Sequence, residues 1–385
     1  MITLGERRDA FLETIARLTA ERAAARGIVS SLRASSAEVW DWEIPAHWRT
    51  AGFVQELTST ASDALESNPR ESLAYAQLAL AIATSIPVGT YPTPVQAQIE
   101  GAAWKEIGTA HRYVGEFDAA LRAYDAAQRA YGEADTLVHD SAVIELARAI
   151  VLPEMQRHEE ALQLLASIEP VFESFEDRRH LVQVRQLTAN IFYMQSRMQE
   201  ARTVLEKALQ DVSFDDLYTR AGLTSTLGLI YGQLGRREEA LALFHRARGM
   251  FVDLGMTGEV TRTDWAVATT VLELGDTTKA IELLRSSRTN FLRLTMAHEA
   301  GLAGLDLADA LIVDGRMSEA RQVVESALAE FIAAKLNHNA IIALAYLRDI
   351  LPTTSSPRKA VDHVKKHLKR LSFEPARVFL PQPEE

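Results

Sequence analysis

The chain has no cysteine among its 385 residues. That single absence removes disulfides, thiolate metal ligands and cysteine nucleophiles. Aromatic residues make up only 7%, and alanine and leucine are abundant, which favours helix over strand. No run approaches about eighteen consecutive apolar residues, so no membrane span is expected. The N-terminal stretch "MITLGERRDAFLETIARLTAERAAARG" is charged from its first residues and lacks the apolar centre of a signal peptide. A soluble cytoplasmic protein is therefore expected. Phosphate-binding G-x-x-x-x-G-K-[ST] loops, G-x-S-x-G elbows and dinucleotide glycine loops are all missing. A net charge of −11 opposes a phosphate backbone, so nucleic acid is not an expected partner. What remains is a globular composition, 47% hydrophobic and 24% charged.

The stretch "GLIYGQLGRREEALALFHRA" carries a pattern that recurs. Its alanine, Ala240, has counterparts at Ala120, Ala161, Ala201, Ala280 and Ala320, spaced by 41, 40, 39, 40 and 40 residues. Ala360 lies 40 further on. A larger apolar residue follows each four positions later: Tyr124, Leu165, Leu205, Phe244, Leu284, Val324 and Val364. Such a fixed period marks an internal repeat. A degenerate unit around Ser72 and Ala76 precedes the first clear one.

Each unit reads as a helical hairpin. The first helix carries a small residue where two helices must approach closely: Gly108, Ala149, Ala189, Gly228, Ala268 and Ala308. Four units then turn on glycine, which tolerates the positive φ that often ends a helix. The second helix presents its alanine and its larger apolar group on one face. A hairpin of this kind cannot bury its apolar stripes alone; stacking with its neighbours does so.

These units resemble the tetratricopeptide repeat. "WKEIGTAHRYVGEFDAALRAYDAA" matches its spacing through Trp104, Ile107, Gly108, Ala120, Tyr124 and Ala127, with His111 in place of the usual tyrosine. Leu227, Gly228, Tyr231, Ala240, Phe244 and Ala247 match it more closely. The resemblance spans roughly residues 50–370. The period of about 40 exceeds the usual ~34, so helices longer by nearly a turn, or longer loops, are expected. The closing proline of the family pattern is also missing. The resemblance implies an all-α chain, a right-handed α-solenoid of tetratricopeptide-like hairpins with an N-terminal helical cap. Its parts are an N-terminal helical segment over 1–45, the repeats over 46–371 and a flexible tail over 372–385.

The ends have two readings each. Trp40, Trp42 and Trp48 either cap the apolar face of the first repeat or form an aromatic docking patch. The basic stretch "SPRKAVDHVKKHLKRL" is either a solvated helix face or a docking surface for an acidic partner or for the protein's own acidic body. His363 and His367 lie four apart there, but their neighbours are cationic and the glutamate of a metalloprotease helix is missing. No metal, no cofactor and no enzymatic activity are expected.

The resemblance places partner binding on the first helix of each hairpin, along a concave face. Carried onto this chain, that register gives Lys105, Thr109 and Arg112, then Gln183, Gln186, Asn190 and Tyr193, then Arg262, Trp265 and Thr269. The Lys and Asn pair with which some family members grip a C-terminal carboxylate is missing from these units. The expected function is that of a bacterial-type interaction protein, an adaptor, scaffold or inhibitor holding a protein or peptide, such as a signalling, stress or defence effector kept in check. The alternative is a peptide-sensing regulator, because the overall plan is similar to that of Rap-type peptide-receptor regulators.

Overall fold

A computed structural model describes residues 4–34, 43–132, 136–371 and 377–381. The chain divides into two compact units, Met1–Ile191 and Phe192–Glu385. Seventeen α-helices and no strand occur among the described residues. None of these helices is long and apolar enough to cross a membrane.

The first unit contains α1 (Leu4–Ala34), α2 (Ala51–Ala64), α3 (Pro69–Ser85), α4 (Thr93–Tyr113), α5 (Phe117–Gly132), α6 (Val138–Val151), α7 (His158–Ser174) and most of α8 (Arg178–Met194). The second contains α9 (Met198–Asp211), α10 (Leu217–Gln233), α11 (Arg237–Asp253), α12 (Thr257–Glu273), α13 (Thr277–Arg293), α14 (Ala297–Val313), α15 (Met317–Ala333), α16 (His338–Ile350) and α17 (Pro357–Leu371). Side-chain caps set several starts: Asn68 accepts from the Glu71 amide with Pro69 as first helical residue, and Asp276 accepts from the Lys279 amide. The long period is resolved in favour of longer helices. From α11 to α15 each helix has 17 residues, with short turns between them.

The repeat register is the packing register. Ala120, Ala161, Ala201, Ala240, Ala280 and Ala320 are fully buried, as are Tyr124, Leu205, Leu284 and Val324. The hairpin turns use the left-handed region throughout: Gly115, Gly235, Gly275 and Gly315 have φ between 77° and 94°. Gln156 and Ser196 adopt the same conformation at φ 61° and 60° without being glycine. At the Gly235 turn the Arg236 amide donates to the Tyr231 carbonyl at 2.9 Å, and the Gly235 amide to that of Gly232 at 2.9 Å, closing the last turn of α10.

In the first unit, α1 lies against α2. Ala25, Val29 and Leu32 are buried together with Trp48 and Phe53, whose rings stack at 5.0 Å. Trp48 therefore takes the capping role; Trp40 and Trp42 lie outside the described residues. A Cβ on Gly52 would sit 2.3 Å from the Arg22 amide nitrogen, so only glycine permits this approach. The proline-rich loop between α3 and α4 fastens the junction: the Tyr91 hydroxyl donates to Glu21 at 2.7 Å and accepts from the Ala51 amide at 3.0 Å.

In the second unit the basic helix α17 is exposed at Arg358, Lys359, Lys366, Lys369 and Arg370, and part of its charge is also docked. Arg358 pairs with Asp309 at 2.7 Å, and Lys365 pairs with Asp306, both on α14. Asp306 is buried and also accepts from the Trp265 indole nitrogen on α12 at 2.8 Å. Two cations of α17 thus meet carboxylates of the protein's own α14. Within the span read from sequence as a flexible tail, Phe379 is buried against Tyr346, His363 and His367. An aromatic ring that removes this much apolar surface from water holds its segment in place. His363 Nε2 lies 2.9 Å from the Leu380 carbonyl. Burial, with Arg377, His363 and Arg370 nearby, lowers the pKa of His367.

Candidate functional site

Within the first unit, α2, α4 and α6 are the first helices of successive hairpins, and their exposed faces border a cavity of about 280 Å³. Its floor is apolar, with Val54, Ile99, Ala102 and Val143. Its rim is polar, with Gln55, Thr58, Gln98, Lys105, His139 and Asp140. The mixture follows from helix periodicity: residues facing the second helices are buried, and their flanking neighbours are left for the opening.

Internal bonds orient the rim. Gln98 Nε2 donates to Asp140 Oδ1 at 3.2 Å, tying α4 to α6. Lys105 Nζ rests 2.9 Å from Glu106 Oε1. Tyr131 closes one side, and burial, followed by the carboxylates of Asp140 and Glu106, pushes its phenol pKa far up, so it stays protonated. Two primary amides, a hydroxyl, a cation and a carboxylate can both donate to and accept from a backbone.

Beside this cavity His139 meets a second pair of groups. Asp177, immediately before α8, accepts from the His180 amide at 3.1 Å through Oδ1. Its Oδ2 lies 2.8 Å from His139 Nε2 and 2.7 Å from His180 Nδ1. Burial pushes the Asp177 carboxyl upward, but the hydrogen bonds from the His180 side chain and amide and from His139 prevail and hold it at about 2.

The ten residues placed on the binding face from sequence fall in different environments. Lys105 lines the cavity. Thr109 bonds its own helix at Lys105 O, 2.9 Å, and touches the Tyr124 hydroxyl. Arg112 lies over the Tyr113 ring at 4.5 Å. On α8, Gln183 and Asn190 are exposed, Gln186 is half-buried and Tyr193 is partly exposed. In the second unit Arg262 is engaged by Glu259 and Glu299, and Thr269 bonds the Ala266 carbonyl. Trp265 is held edge-on to Phe291 with its nitrogen on Asp306. It acts there as a packing residue with its polar atom satisfied. Gln55, Thr58, Gln98, His139 and Asp140 were not anticipated. The degenerate first repeat hides the α2 register, and α6 lacks the family's Trp and Gly signature. One signal was available: His139 and His180 are 41 residues apart, the spacing of Ala120 and Ala161.

Comparison with known proteins agrees with this architecture. Residues 105–170 match the tetratricopeptide repeat family. No curated protein matches the chain in sequence. Among solved structures, apo RapI is similar with a TM-score of 0.57 and 13% identity, over 71% of this chain and 99% of that one. The apo quorum sensor NprR from B. thuringiensis is similar with a TM-score of 0.61 and 11% identity, over 94% of this chain and 99% of that one. A STAND ATPase with a tetratricopeptide repeat sensor from Pyrococcus horikoshii gives 0.59 and 14%, over 92% of this chain and 53% of that one. The chain thus carries tetratricopeptide repeats and shares the all-α hairpin-repeat fold of RapI and the NprR quorum sensor.

Proposed function

We propose that the chain is a non-enzymatic regulator whose first unit binds an extended peptide, or an extended segment of a protein partner, in the cleft between α2, α4 and α6. The observation that carries this reading is the cleft's composition: an apolar floor under a rim of donors and acceptors from three successive hairpins. Gln55 and Gln98 suit a peptide backbone, which needs both a donor and an acceptor at each residue. At about 280 Å³ the cavity is just smaller than pockets that enclose a whole small ligand, which run from roughly 300 Å³ upward. It therefore takes one or two side chains of a longer ligand that continues along the helices. NprR is described as a quorum sensor; the likeness to it is one of fold, and the ligand reading rests on the cleft.

Bulk at Ala102, on the cleft floor, tests this. Tagged parent and Ala102→Trp proteins are used to capture ligands from lysate of the source cell, and both protein and peptide fractions are analysed by mass spectrometry. A peptide or partner retained by the parent and lost in a normally helical Ala102→Trp variant is the expected result. Equal capture by both would place the binding surface elsewhere.

A further inference from the structure

We infer that His139, Asp177 and His180 form a binding site for a divalent transition cation of the zinc class, set at the joint between α6 and α8. The three donor atoms lie within 4.8 Å of one another. Two imidazole nitrogens with one carboxylate and no thiolate suit zinc, nickel, cobalt or ferrous iron rather than magnesium or calcium. A carboxylate supplies the negative charge that such a cation prefers among its ligands.

The surroundings fix the ligands. Asp177 is anchored by its other oxygen, which caps α8 through the His180 amide. Phe172 stacks on the His180 ring at 5.0 Å and 15°. Phe172 and Phe175 hold the His139 ring edge-on at 5.6 and 5.2 Å. These contacts give each imidazole one plane, as metal-ligating histidines require. All three donor residues are partly exposed, which leaves an entry path and room for a water as a further ligand. Zinc bonds of about 2.0–2.1 Å would set tetrahedral donors roughly 3.3–3.4 Å apart. The Asp177 contacts of 2.7 and 2.8 Å therefore open by about half an ångström on binding. For coordination, the proton that faces Asp177 must leave each ring nitrogen by exchange with water. His139 then takes the tautomer protonated on Nδ1 and binds through Nε2, and His180 takes the tautomer protonated on Nε2 and binds through Nδ1. The cation replaces two hydrogen bonds with three coordinate bonds and fastens neighbouring repeats through their first helices.

The test uses the full chain, stripped with chelator and titrated with zinc by calorimetry and with cobalt by visible absorption. His139→Asn leaves the α8 cap intact and Asp177→Asn removes the carboxylate; His363→Asn serves as control for the histidines of α17. The expected result is one zinc per chain, cobalt d–d bands, and affinity lowered more than about 100-fold in both site variants with the control unchanged. Three results overturn the inference: no saturable binding, binding that survives both site variants, or binding lost only in His363→Asn. Far-UV circular dichroism of each variant separates loss of a ligand from loss of fold.

Discussion

One helix supplies a paired experiment in which a single substitution is expected to act in opposite directions. Gly222 and Gly228 both lie inside α10. A Cβ on Gly228 would sit 2.7 and 2.9 Å from Cε1 and Cδ1 of Phe244, a ring that is almost wholly buried. A Cβ on Gly222 would meet nothing within 4 Å. In both places Gly→Ala raises helix propensity by roughly 0.5–1 kcal/mol. At Gly228 the methyl also forces Phe244 out of its seat, and such overpacking costs about 1–3 kcal/mol. Gly222→Ala is therefore expected to stabilise by about 0.5–1 kcal/mol, and Gly228→Ala to destabilise by about 1–2 kcal/mol net. Because repeat arrays need not unfold in one step, the readout is amide hydrogen exchange across α10 and α11, supported by the urea midpoint. A shift of the same sign in both variants would show that α10 and α11 do not pack through the Gly228–Phe244 contact, and the repeat register would fall with it.

Other consequences follow from individual contacts. Ser196 holds a left-handed φ of 60°, which costs a non-glycine residue about 1–2 kcal/mol. After the entropy that glycine adds to the unfolded chain, Ser196→Gly is expected to stabilise the α8–α9 turn by up to about 1 kcal/mol, checked by thermal unfolding. Lys365→Met leaves buried Asp306 with only the Trp265 donor. The cost is expected to be about 2–3 kcal/mol, less than the 3–5 of a fully orphaned ion, and a Lys365→Met/Asp306→Asn double variant should recover part of it in a proteolysis assay of α17. The Asp177 pKa is lowered in the fold to about 2 from an ordinary 3.8. Its stabilising effect is therefore full above about pH 4 and disappears as pH falls toward about 2. The parent's advantage over Asp177→Asn should shrink across that window, by on the order of 1–2 kcal/mol once solvent screening is allowed for.

Much of the fold was legible because packing and sequence share one period. The alanine series is buried for the same reason that it recurs: two helices meet there and a larger side chain would hold them apart. Phe244, Leu284 and Val324, four residues after their alanines on the same face, are buried with them, so the apolar stripe could be read without coordinates. The partner face was less legible, because nothing in a local pattern says which polar residue is already engaged. Trp265 was placed on the binding face, yet its nitrogen meets Asp306, 41 residues later. The cations of α17 read in sequence either as a solvated face or as a docking surface, and only the fold shows Lys365 reaching back 59 residues to the same carboxylate. His139 gave only the signal of its 41-residue spacing from His180; the contact with Asp177 and His180 arises only when successive hairpins stack. Long-range charge pairing and the junctions between repeats are what the sequence period leaves out.

The central claim is that the cleft between α2, α4 and α6 is where the partner lies. It is tested most directly by placing a photo-crosslinking amino acid at Thr58, on the cleft rim, and at Arg122, exposed on α5, and irradiating each protein in lysate of the source cell. The account predicts one dominant adduct at Thr58, with the crosslinked peptide identified by mass spectrometry, and none in common at Arg122. The same adduct formed at Arg122 and not at Thr58 would contradict it and move the binding surface to the second helices of the hairpins.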